Sequence, residues 1–100
     1  MNRHPMKLVT IVCEALAREP LRALLKEVGA HGYTLFTVEG TGAGGHRAAD
    51  IEEFANIQVE VIVPAAVAEQ LLTRLEADFF PRFATIAYES DVSVLRPGKF

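Results

Sequence analysis

The run Asn56-Ile57-Gln58-Val59-Glu60-Val61-Ile62-Val63 alternates polar and apolar residues until Pro64 stops it. A period of two means a β-strand with one face buried and one half exposed. The alternation also fixes register, because a slip of one residue would turn Ile57, Val59, Val61 and Val63 out to water. Further elements follow on either side of it. Lys7 to Glu14 is short, β-branched and apolar, which predicts a buried first strand. Glu19-Pro20 opens a helix with proline in its first turn; Leu21, Leu24, Leu25 and Val28 form its apolar stripe, and Gly29 caps its end. Gly32 closes the connection, and Tyr33 to Val38 predicts a second strand. After Pro64, Ala66, Val67, Leu71, Leu72 and Leu75 mark a second amphipathic helix ending near Asp78. Phe79, Phe80 and Phe83 flank Pro81 and are expected mostly in the core, because a helix must turn back to the sheet there. Thr85 to Tyr88 and Val92 to Leu95 are expected as separate fourth and fifth strands, and residues 96–100 as a loose tail.

The order β-α-β-β-α-β predicts an α+β, ferredoxin-like sandwich: an antiparallel sheet with two helices on one face and the other face open. Apolar residues on both sides of the first and third strands suggest that sister subunits cover the open face. With 100 residues, half of them hydrophobic, the chain is expected to form a single domain spanning 1–100. Ten basic against thirteen acidic side chains give a net charge of −3 with no basic run, so the footprint of a nucleic-acid binder is missing. The single cysteine, Cys13, excludes an intrachain disulfide and a thiolate cluster and suits a reducing cytoplasm. No apolar run approaches the roughly 20 residues that cross a bilayer, so the expected location is cytoplasmic, without membrane insertion.

Chemistry concentrates in Gly40-Thr41-Gly42-Ala43-Gly44-Gly45-His46-Arg47, four glycines within six positions followed by two side chains with ring or guanidinium nitrogens. Glycines leave backbone N–H groups free to approach an anion, and Arg47 adds a bidentate fork for phosphate. The spacing Gly40-x-Gly42-x-x-Gly45 matches a dinucleotide fingerprint, but a strand rather than a helix resumes about eleven residues later, so a Rossmann unit does not fit. A Walker A lysine is also missing. A ligand-free hairpin connection remains open as an alternative, although some sixteen residues are long for one. His4, His31 and His46 stand too far apart to show a metal-ligand spacing, and Cys13 reads as core. Nothing in the sequence places a nucleophile or a second acid beside Glu14, Glu52 or Glu53, which read as surface charge.

A resemblance adds to this reading. Gly32-Tyr33-Thr34, Gly40-Thr41-Gly42, Gly45-His46 and Gln58-Val59-Glu60-Val61-Ile62-Val63-Pro64 fall in the order of the characteristic segments of PII signalling proteins. Asp50-Ile51-Glu52, Ala55-Asn56-Ile57 and Phe80 to Tyr88 resemble more closely the PII-like subgroup tied to inorganic carbon in cyanobacteria and chemoautotrophs. The likeness covers about residues 6 to 96. It implies a homotrimer with an adenine nucleotide in each of three clefts between subunits and a signalling T-loop at about 40–55. Carried over, Thr34, Glu60 and Ile62 would meet the adenine from one subunit. Val12, Gly40, Thr41 and Gly42 would come from the other, Ile86 would flank the base, and Arg96 would stand near the phosphates. The tyrosine that nitrogen-sensing members uridylylate has no counterpart between Gly42 and Asn56. Phe83-Ala84-Thr85-Ile86 replaces the family's glycine- and lysine-rich phosphate loop, which favours AMP, ADP or cyclic AMP over ATP.

The reading that results is a non-enzymatic regulator that binds AMP, ADP or cyclic AMP, with bicarbonate as a candidate second ligand. Its T-loop would signal to a bicarbonate transporter or a carboxysome-related protein. Two alternatives come from other classes. One is a hydrolase of small nucleotides or phosphoanhydrides, with magnesium held by Asp50, Glu52 or Glu53; the other is a structural, CutA-like trimer.

Overall fold

The computed structural model describes residues 1–39, 41–42, 45–46 and 56–100, with 41, 42, 45 and 46 described by backbone alone. Strand β1 (His4–Glu14) runs through a short 3-10 turn at Ala15–Ala17 into helix α1 (Arg18–Glu27). Strand β2 (Thr34–Val38) follows, then two-residue strands β3 (Thr41–Gly42) and β4 (Gly45–His46), and strand β5 (Asn56–Val63). Helix α2 (Ala65–Arg74) continues as a π-helical turn at Leu75–Phe79 before strand β6 (Thr85–Val94) and a 3-10 turn at Pro97–Lys99. The main sheet has the order β2-β5-β1-β6, antiparallel throughout, which is the ferredoxin-like arrangement expected from the sequence. The two short strands pair separately, Thr41 opposite His46 and Gly42 opposite Gly45, inside the segment expected as a plain glycine loop.

Helix ends follow their local chemistry. Pro20 is the third residue of α1, where an N–H would have no partner within the helix, so its missing donor costs nothing there. At the other end Gly29 takes φ +85°, its N–H donates to the Lys26 carbonyl at 3.2 Å, and the Ala30 N–H donates to the Leu25 carbonyl at 2.9 Å. This is the Schellman closure that glycine permits.

The alternation in β5 sorts its residues as the sequence requires: Ile57, Val59, Val61 and Val63 are buried, and Asn56, Gln58, Glu60 and Ile62 are half-buried on the other face. Val9, Ile11 and Cys13 of β1 join the buried set beneath Leu21, Leu24 and Leu25 of α1 and Ala68, Leu71, Leu75 and Phe79 of the second helical segment. An Arg74 side chain ties the two helices, its guanidinium 3.2 Å from the Glu27 carboxylate and 2.9 Å from that of Asp78.

One expectation needs correction. The fourth and fifth strands are one strand, because ten consecutive residues of β6 pair with β1 from Cys13–Thr85 to His4–Val94. The polar stretch Glu89-Ser90-Asp91 lies within it and reads locally as a break, yet the long β1 partner satisfies its backbone, and the Lys7 ammonium meets the Asp91 carboxylate across the strands at 2.5 Å. The phenylalanines, expected mostly in the core, are so placed in two of three cases: Phe79 is buried and Phe83 packs against the core, whereas Phe80 is 45% exposed. The Phe79 and Phe83 rings lie 5.5 Å apart, and the Arg82 guanidinium sits 4.9 Å from the Phe83 ring centre.

Candidate functional site

Residues directly opposite one another on neighbouring strands share a face, so register alone assembles the open side of the sheet. One cross-strand row is Thr34, Glu60, Thr10 and Tyr88; the next, two residues along each strand, is Phe36, Gln58, Val12 and Ile86. Ile62 and Leu8 pair in the row on the opposite side of Glu60. The helices cover only the other face, and this one leaves large apolar side chains in water, Ile86 at 60% and Tyr88 at 52% exposure. Thr10 at its centre is nonetheless 2% exposed, flanked by β5 on one side and β6 on the other.

At the β2 edge of this face lies a concavity of about 230 Å³. The sheet contributes Leu8, Thr34, Glu60 and Ile62; the turn before β2 contributes Gly32 and Tyr33; the 3-10 turn after β6 brings in Lys99 and Phe100. Glu60 is oriented by Gln58, whose Nε2 donates to Oε2 at 3.5 Å. The pocket's lining therefore combines a hydroxyl-bearing, a carboxylate-bearing and an ammonium-bearing residue with apolar and aromatic ones.

Of the residues expected from sequence, Thr34, Glu60 and Ile62 come together in this pocket. Val12 and Ile86 stand directly opposite each other on β1 and β6, but not in the pocket. Three strand spacings of about 4.8 Å separate β2 from β6, so Ile86 lies roughly 14 Å across the sheet from Thr34, with a further two-residue step along it. Arg96 is exposed just beyond β6, and its carbonyl accepts the Lys99 N–H at 3.1 Å. Thr41 and Gly42 belong to the short β3 strand, while Gly40 and Arg47 lie outside the described residues. So does most of the 40–55 segment, including Asp50, Glu52 and Glu53.

Sequence reasoning missed Lys99 and Phe100, which it assigned to a loose tail. Their signal was the Pro97-Gly98 pair, a turn sequence that folds the chain back. It also treated Glu14 as plain surface charge, whereas the Glu14 carboxylate accepts the Ala84 N–H at 2.8 Å and fixes the entry into β6.

Cys13 is 1% exposed, and burial, reinforced by the charge of Glu14, pushes its thiol up to about 11. A protonated, enclosed thiol is a core group and not a nucleophile. Among the described residues no group of three His, Cys, Asp or Glu side chains could hold a metal ion, and no helix is long and apolar enough to cross a membrane.

Comparison with known proteins bears on the family and the fold. The model of the family described as nitrogen regulatory protein P-II matches residues 6–99. A PII-like signalling protein of Thermus thermophilus is 43% identical, covers 100% of this chain and 99% of its own, and superposes with a TM-score of 0.87. CPII, a nitrogen regulatory PII-like protein of Thiomonas intermedia solved with ADP, AMP and bicarbonate, is 28% identical over 99% of this chain and 96% of its own, with a TM-score of 0.91. The same protein bound to ADP and bicarbonate gives a TM-score of 0.89 at 28% identity, covering 99% of this chain and 97% of that one.

Proposed function

The chain belongs to the nitrogen regulatory protein P-II family, and on that premise we propose that it is a homotrimeric, cytoplasmic, non-enzymatic regulator. Its ligand is an adenine nucleotide, AMP, ADP or cyclic AMP, held in clefts between subunits. Thr34, Glu60 and Ile62 of one copy meet the base on one side; Val12, Gly40, Thr41 and Gly42 of the neighbouring copy meet it on the other. Ile86 flanks the base, and Arg96 and Arg47 take the phosphates or bicarbonate. The observation that carries this reading is the distance between Thr34, at the β2 edge of the sheet, and Ile86 on β6, both of which are expected to meet the same base. A base only several ångströms across cannot reach from Thr34 to Ile86 within one chain, roughly 14 Å away. Two half-sites on one exposed apolar face call for a second copy to complete each of them. The ADP, AMP and bicarbonate held by the Thiomonas relative support the ligand class.

Signalling would pass through residues 40–55. A ligand that binds one arrangement of that segment better than another shifts its population by the differential affinity, which a bicarbonate transporter or a carboxysome-related partner then reads. The hydrolase alternative rests on Asp50, Glu52 and Glu53, outside the described residues, and no observation favours it. Light scattering and calorimetry test the proposal together. The expected mass is three times 11.0 kDa, about 33 kDa, with saturable heats from ADP or AMP and no nucleotide turnover in the presence of magnesium. A monomer at micromolar concentration, or a trimer silent to all three adenylates, overturns it.

A further inference from the structure

The segment after β6 is built to face the pocket. Pro97–Lys99 forms a 3-10 turn, closed by the Lys99 N–H to the Arg96 carbonyl and the Phe100 N–H to the Pro97 carbonyl, each at 3.1 Å. Residues 95 to 99 are exposed, yet Phe100 at the end of the turn is half-buried and lines the pocket with Glu60, Ile62 and Tyr33. A turn that leaves its own residues in water while seating one aromatic ring against a concavity spends conformational entropy on placing that ring.

We infer that Phe100 is a specificity-determining wall of the ligand pocket, the surface on which the flat face of a heteroaromatic base stacks. The inference rests on the nucleotide reading above and assigns to it a residue that the carried-over site does not contain. Aliphatic Leu8 and Ile62 supply contact area without selecting for planarity, and Glu60 and Thr34 can address only the edge of a base. A ring against the face of a base adds stacking to area burial and so favours planar ligands; of the two aromatic residues that line the pocket, Tyr33 is 39% exposed, whereas Phe100 is the more enclosed. Lys99 arrives on the same turn, so one element delivers both the ring and a cation for the ligand's phosphates.

The chain contains no tryptophan, so the Phe100→Trp variant carries a single reporter at the proposed contact. Its emission should change saturably with ADP and not with ribose 5-phosphate at the same concentration, and calorimetry should give an ADP affinity within about threefold of wild type. Phe100→Leu keeps apolar bulk and loses the ring; it and Phe100→Ala should each bind ADP roughly 5- to 100-fold more weakly, at unchanged oligomeric mass. Bound ADP with unaltered tryptophan emission, or Phe100→Leu binding within about twofold of wild type, overturns the role of Phe100 and leaves the nucleotide site standing. Wild-type protein that binds no adenylate overturns the nucleotide reading itself.

Discussion

Gly29→Ala should weaken the fold while Gly32→Ala strengthens it, although each adds one methyl group to the same short connection. At neither position does a new Cβ meet any atom within 4 Å, so steric clash is absent from both. The difference is backbone. Gly29 sits at φ +85°, and it is the only described glycine with a positive φ. An L-residue held there costs about 1–2 kcal/mol. Both substitutions stiffen the unfolded chain and so return about 0.4–1 kcal/mol. That gain is common to the pair, so subtracting the two isolates the left-handed strain at about 1–2 kcal/mol. For a domain of this size the melting temperatures should then differ by roughly 4–16 °C, with Gly32→Ala the higher. Thermal unfolding by circular dichroism, at one protein concentration because subunit association shifts the midpoint, measures it. Equal shifts in the same direction would refute the argument, since the Schellman closure of α1 would then not depend on glycine.

Four further outcomes are expected. Cys13 should resist a disulfide-exchange reagent at pH 8 in the native protein and react on unfolding; because its folded thiol is raised to about 11 from 9.0, the protonated form is favoured by folding. The Cys13 contribution to stability should accordingly hold below pH 9 and fall as pH climbs from 9 toward 11, a slope that Cys13→Ala reduces and that chemical denaturation at stepped pH would read. Leu71→Ala, at a fully buried position beneath the sheet, should cost about 2–5 kcal/mol in urea unfolding, whereas Arg74→Ala, which breaks only the exposed bridge to Glu27 and Asp78, should cost clearly less. Thr34→Val should weaken ADP binding by about 0.5–1.5 kcal/mol in calorimetry with little change in melting temperature, since it removes one hydroxyl from an exposed position; unchanged affinity would take Thr34 out of the site.

The sequence by itself determined the elements whose cause is local. Alternation in Asn56 to Val63 set both the strand and the side of each residue, because a strand's two faces see different solvents and the period admits no third choice. Gly29 marked the end of α1, because the left-handed turn there excludes most side chains. Parity within each strand set the side taken by Val12, Thr34, Glu60, Ile62 and Ile86, and the register between strands then put those sides on one open face. Tertiary structure decided what depends on partners far along the chain. Glu89 to Asp91 looks like a break until ten backbone positions of β1 lie beside β6, which is why two expected strands are one. Phe80 looks like core until the π-helical turn at Leu75–Phe79 sends Phe79 inward and leaves its neighbour in water. Lys99 and Phe100 carry no periodicity at all; only the fold, by turning the chain at Pro97 after β6 and carrying it to the β2 edge of the sheet, brings them to a pocket lined by residues far earlier in the sequence.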